Sequence, residues 1–193
     1  MPMGGRAQGV SIDQRNDATS PSALFSWDLK NGFPVAQEFV PQLAGLDFVD
    51  LVMGSVEVDP GATFQVTIRQ SQITGTVLGT SEAVQGFGQA APSIAHFTFA
   101  STVPLTPGNA YVLELLYAPS RWTVGADPSA AYADGRMIGG GGSLDNYDLW
   151  FREGIGVPEA SCLVLFLVGA VTLKLHTKHR MKHEFRFEPI DRQ

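Results

Sequence analysis

Four histidines, one cysteine and nineteen carboxylates are the groups in this 193-residue chain best suited to chemistry. A hydrolytic relay needs a histidine between a hydroxyl and a carboxylate. His176, His179 and His183 fall in a basic stretch near the C-terminus, which leaves His96 as the single histidine of the preceding body. In Ala95-His96-Phe97-Thr98-Phe99, alternation places His96 on the polar face of a strand, where a solvated ring is the ordinary outcome. There is no Gly-x-Ser-x-Gly elbow, and the run Gly139 to Gly142 is not followed by the Lys-Ser/Thr of a phosphate-binding loop. Cys162 has no second cysteine to pair with and no histidine spacing that would make a zinc site. These absences argue against an enzyme.

The remaining chemistry is that of binding. Asp47 and Asp50 lie three apart in one strand and point to opposite faces unless a bulge intervenes. Asp145 and Asp148 flank Asn146 beside the glycine run, and such oxygens could supply part of the roughly six to eight that a structural Ca²⁺ takes. The spacing is not that of an EF-hand, and turn chemistry, with Asp and Asn bonding their own backbone, accounts for the same residues. No other cofactor is expected. Trp27, Trp122 and Trp150, with Tyr132, are the side chains that could stack on sugar rings, with core packing as their competing use.

These residues must be positioned by strands. From Phe25 to Arg152 the chain reads as short alternating runs divided by turn residues. Thr63–Arg69 puts Phe64, Val66 and Ile68 on one side and polar residues on the other. Leu46–Met53, Ile94–Ala100, Ala110–Tyr117 and Tyr147–Arg152 are further strands, with weaker signals at Ala36–Val40, Val77–Ala83 and Arg121–Val124. In the last strong strand Tyr147, Leu149 and Phe151 share one face, and Asp148, Trp150 and Arg152 the other. Asp59-Pro60-Gly61 and Thr106-Pro107-Gly108-Asn109 are turns, and the four-glycine run reads as a flexible loop. Residues 1–23, rich in Gly, Ser, Asp, Asn and Pro, read as a flexible leader or linker. About eight strands at regular spacing, without helical periodicity before the C-terminus, predict an all-β, antiparallel two-sheet sandwich of jelly-roll type over residues 24–154.

Charge is distributed unevenly. Only 17% of residues are charged, against about 25% in an average soluble domain. Residues 1–156 carry seven Lys and Arg against fifteen Asp and Glu, a net of −8. Residues 157–193 carry six against four, a net of +2. An acidic body excludes nucleic acid as a partner, since phosphate binding requires clustered cations. The basic tail follows Ala160–Leu173, fourteen residues without a charge and apolar all round at Leu163-Val164-Leu165-Phe166-Leu167-Val168. The run is shorter than the roughly 20 residues of a full span, and snorkelling of Lys174 or inclusion of Ile155–Val157 closes part of the gap. A cationic cluster after such a run predicts a single C-terminal hydrophobic helix in a membrane, with the tail cytoplasmic and the body outside. The first ten residues hold no apolar stretch of signal-peptide length, so an export signal is expected upstream of Met1.

Val157-Pro158-Glu159, then the apolar stretch Ala160, Leu163, Leu165, Phe166, Leu167, Gly169 and Leu173, then Lys178, Arg180 and Lys182, resembles the PEP-CTERM sorting signal of bacterial exported proteins. The resemblance covers residues 157–182 within a sorting and transmembrane segment taken as 155–183. It departs from the family at Ala160, where the second proline would stand, and in the polar tail 184–193. It implies an exosortase-like processing enzyme as partner. It also implies residence in the cell membrane as a single-pass protein, or release to the surface or biofilm matrix after processing. Ala36-Gln37-Glu38-Phe39, Leu46–Leu51, Val103–Tyr111 and Tyr147–Arg152 are similar to accessory β-sandwich domains that accompany such tails. That likeness implies adhesion, matrix association or polysaccharide binding. Two functions are therefore expected: a non-catalytic surface or matrix protein displayed through its tail, or a carbohydrate-binding module using exposed aromatics.

Overall fold

A computed structural model describes residues 9–30, 33–55, 61–86, 92–117, 122–129 and 131–157. Pro158, Glu159, the apolar run, the basic cluster, the tail 184–193 and the Asp59-Pro60 part of one expected turn lie outside these residues. Among those described, no helix is long and apolar enough to cross a membrane.

The described chain is all-β, and the strands fall into two antiparallel sheets. The first contains β1 (Gly9–Asn16), β2 (Phe25–Asp28), β4 (Gly45–Ser55), β8 (Ser93–Pro104), β10 (Trp122–Asp127), β13 (Asp148–Leu149) and β14 (Phe151–Val157). The second contains β3 (Val35–Phe39), β5 (Thr63–Gln70), β6 (Val77–Thr80), β7 (Val84–Gln85), β9 (Tyr111–Tyr117), β11 (Met137–Gly139) and β12 (Gly142–Leu144). In the first sheet the order is β1-β14-β4-β10-β13, with β8 on the other side of β4 and β2 on β10. In the second it is β12-β11-β3-β9-β5-β6, with β7 also on β5.

Alternation decides which residues enter the core. Phe64, Val66 and Ile68 of β5 point inward as their spacing predicts, and so do Leu113 and Leu115 of β9. Across the sandwich they meet Val49, Leu51 and Met53 of β4, Phe97 of β8 and Phe151 of β14 in one cluster. Trp122 of β10 reaches Phe64 of β5 edge-on, with ring centroids 5.1 Å apart, and so ties the two sheets together. Each large side chain buried in this way stabilises the fold by roughly 1.5–3 kcal/mol.

Three expectations need correction. Residues 9–16, read as leader, form β1 beside β14. The following residues lie over the outer face of the first sheet. Thr19 O accepts the Trp150 indole N–H at 3.0 Å, and a Cβ added at Gly125 would come within 2.7 Å of Leu24 Cδ1. The glycine run is a hairpin tip and not an irregular loop. Gly139 pairs with Gly142, and Gly140 and Gly141 take φ of +60° and +88° between them. Two consecutive positive φ values make the turn that matches strand twist, which is why glycine stands at both. Finally, Tyr147–Arg152 is divided at Trp150, whose N–H bonds Gly125 O of β10, while from Phe151 onward the chain pairs with β4. Its polar-side residues Asp148 and Trp150 are buried, because a second layer of chain covers that face.

Candidate functional site

The aromatic residues separate into structural and exposed groups. Trp122 and Trp150 are 0% and 1% exposed, and Tyr132 is 8% exposed, so none of the three can offer a ring face to a ligand. Trp122 fills the core. Trp150 lies under the Arg152 guanidinium, 4.9 Å from its ring centroid. Tyr132 packs on Phe151, donates its hydroxyl to Gln14 Oε1 at 3.2 Å and accepts from Val40 N at 3.2 Å. Burial raises the Tyr132 phenol to about 12, with the Asp134, Glu153 and Asp13 carboxylates adding to the effect against the Val40 bond. The sequence proposed all three as sugar platforms, and the structure withdraws them.

Trp27 is different. It stands on β2 at the side of the sandwich where β11 and β12 approach, half-buried, in a three-ring cluster with Phe25 and Tyr147. The ring centroids are 6.3 Å (Phe25–Trp27), 5.9 Å (Phe25–Tyr147) and 6.1 Å (Trp27–Tyr147) apart. Phe25 is 49% exposed. Gly139 makes the seat, since a Cβ there would stand 3.0 Å from Trp27 Cζ2 and 3.1 Å from Leu144 Cδ1. The exposed side chains of Ser26, Ser143 and Asn146 lie on the same elements or the turn beside them. Phe25 and Tyr147 were not singled out by sequence. Their alternation with Trp27 and Leu149 was visible, but the meeting of β2 with the residue-147 turn was not.

The two carboxylates considered for Ca²⁺ have separate partners. Asp145 is exposed and paired with Arg136 Nη1 at 3.3 Å, while the same guanidinium binds Glu38 at 3.1 Å. Asp148 is buried. It accepts from Gln37 Nε2 at 2.9 Å and from Tyr132 N at 3.0 Å, while Gln37 Oε1 takes the Leu149 N–H at 2.8 Å. Burial raises the Asp148 carboxyl above its ordinary range, and its ladder partner Asp127 adds to the rise against the two hydrogen bonds. Burial acts on Asp127 in the same direction, but hydrogen bonds from Ser129 and Thr19 outweigh it and hold that carboxyl low. Among the described residues no group of three or more His, Cys, Asp and Glu is arranged to hold a metal ion.

His96 lies on the exposed face of β8, as its alternation predicts. Its Nδ1 meets Asp50 Oδ1 at 2.6 Å, and its ring lies 5.2 Å from that of Phe48. The pairing follows from register, since His96 and Asp50 face each other across β8 and β4. Among the described residues no hydroxyl or thiol is hydrogen-bonded to this ring. Asp47 binds Thr102 Oγ1 at 2.6 Å and Gly156 N at 2.9 Å, beside a register shift between Leu46 and Phe48.

Comparison with known proteins returns no matching family model and no matching curated protein. Among solved structures, a chain from a crystal structure of an IBDV viral particle aligns at 17% identity and a TM-score of 0.30. The alignment covers 81% of this chain and 41% of that one, so this chain spans under half of that neighbour's length. A likeness at that level carries no argument about function.

Proposed function

We propose that the chain is a non-catalytic extracytoplasmic display protein, a jelly-roll sandwich carried at the cell membrane or sorted from it by a C-terminal PEP-CTERM-like segment. The observation that carries this reading is the sequence layout from Val157 on, where Pro158-Glu159, an apolar run and a basic cluster stand in that order. The strand order β1-β14-β4-β8 in one sheet and β3-β9-β5-β6 in the other supports the jelly-roll reading. A basic cluster after an apolar run favours a cytoplasmic tail, and an exosortase-like enzyme is the partner that the motif calls for.

Membrane fractionation with intact-mass measurement, in the native host and with an export signal in place, tests the proposal. The full chain should stay with the membrane, or leave it without the residues beyond about Glu159. A form lacking residues 158–193 should be released. Membrane retention of that truncated form would sink the idea.

A second reading is favoured by the Phe25–Trp27–Tyr147 cluster, which offers aromatic surface flanked by polar side chains, the chemistry that saccharides use. Trp122 and Trp150 are buried, so a saccharide-induced change in tryptophan fluorescence would report Trp27. Polysaccharide binding predicts a saturable change that Phe25→Ala weakens. A flat response across a broad glycan panel removes it.

A further inference from the structure

Glu153 of β14 points into the sandwich with 0% exposure, and neither carboxyl oxygen meets a well-aligned donor among the described residues. Strand β1 runs alongside. A Cβ at Gly154 would stand 2.0 Å from Ser11 O and 3.0 Å from Ile12 Cα, which brings Asp13 beside Glu153 across the seam. Like charges directly opposite on adjacent strands repel, and a buried charge without a counter-ion is costly. On the β4 side Glu153 faces Val49, which offers no charge. From the connection between β10 and β11 come Tyr132 and Asp134, a phenol and a further carboxylate. Arg15 and Arg152 are both engaged with Asp17. Among the described residues, therefore, no cation acts on Glu153.

We propose that β1 is a proton-dependent latch, in which one proton shared by Glu153 and Asp13 holds the strand against β14 and its loss releases residues 9–16 from the sheet. Among the described residues β1 stands at the end of its sheet, with β14 as its one neighbour there, so releasing it costs less than opening the core. Its other ties are polar, and those of Gln14 to the Tyr132 hydroxyl at 3.2 Å and of Asn16 to Leu149 O are buried. Asp13 Oδ2 accepts the N–H groups of Gln42 and Leu43 at 2.9 Å each, and Asn16 donates to Leu149 O at 3.0 Å. Val10 and Ile12 are exposed and add little burial to hold it. Burial first, then the Asp13 charge and hydrogen bond, raise the Glu153 carboxyl from 4.5 to about 9 against a bond from the Gln14 N–H, so the latch is closed at neutral pH and opens in alkali. This inference does not depend on the membrane reading.

Amide hydrogen exchange on the full chain, normalised to intrinsic rates, tests it. Between pH 7 and pH 10 the amides of residues 9–16 should lose protection at least tenfold, while those of β4 and β9 keep theirs. Glu153→Gln, which can still donate to Asp13 but carries no proton to lose, should keep β1 protected throughout. Asp13→Asn removes the neighbouring charge and should lower the Glu153 carboxyl titration seen by carbon-13 NMR. Unchanged β1 protection in the wild type, or the same loss in Glu153→Gln, would overturn the latch. Should Glu153→Gln fail to fold, a wild-type Glu153 titration at an ordinary carboxylate value would do so as well.

Discussion

At the scale of single residues, the buried polar side chains have the largest consequences. Gln37 serves three partners at once: Asp148, the carbonyl of Glu38 and the amide of Leu149. Gln37→Leu keeps the volume and strands all three, so it should destabilise the fold by about 3 kcal/mol in denaturant titration. Gln37→Glu should cost as much, because it faces Asp148 with a second carboxylate. Trp122→Ala should cost about 3–5 kcal/mol, since the indole bridges the two sheets and leaves a large cavity. The composition of the core was legible in the sequence, and Phe64, Val66 and Ile68 could be assigned to it by period alone. Its bonds to Asp148 and Leu149 were not, because those residues lie more than 100 residues away and no local pattern encodes them.

At the scale of elements, the β11–β12 hairpin separates two reasons for glycine. Gly140 has open space but a φ of +60°, so Gly140→Asn should be nearly neutral and Gly140→Val should lose about 1–2 kcal/mol. Gly139 has an ordinary φ but is pressed by Trp27 and Leu144. Gly139→Ala should therefore cost about 1 kcal/mol and shift the tryptophan emission, while Gly142→Ala, with nothing within 4 Å, should do neither. Sequence identified this run as glycine-rich and stopped there, because the distinction depends on which side chain leans over which backbone atom. Strand β1 was missed for a related reason. Val10 and Ile12 alternate too briefly, among too many Gly and Asp residues, to register as a strand before β14 is there to pair with them.

At the scale of the whole molecule, proton linkage sets how stability varies with pH. Glu153 is raised from 4.5 to about 9, so the folded state holds a proton that the unfolded state has lost. Its contribution is fully present below about pH 4.5 and declines as pH rises through 9. Asp127 acts in the opposite sense, since its lowered carboxyl adds stability that is lost on acidification. The net charge of −8 on residues 1–156 adds self-repulsion in alkali. Thermal unfolding should therefore show its highest midpoint in mild acid. Glu153→Gln should raise the midpoint at pH 8 by on the order of 5 °C and leave it unchanged near pH 4.

The sequence by itself determined the β class, the sign of the body's charge, most strand positions and the amphiphilic layout after Val157. Each of these is a local property, carried by alternation, turn residues and runs of like character. Tertiary structure decided the rest among the described residues. It withdrew Trp122, Trp150 and Tyr132 from the surface, built Phe25, Trp27 and Tyr147 into one cluster, paired His96 with Asp50, and set Glu153 beside Asp13. Alternation shows which side chains share a face. Whether that face is open to water or covered by another stretch of chain depends on contacts between residues far apart in sequence.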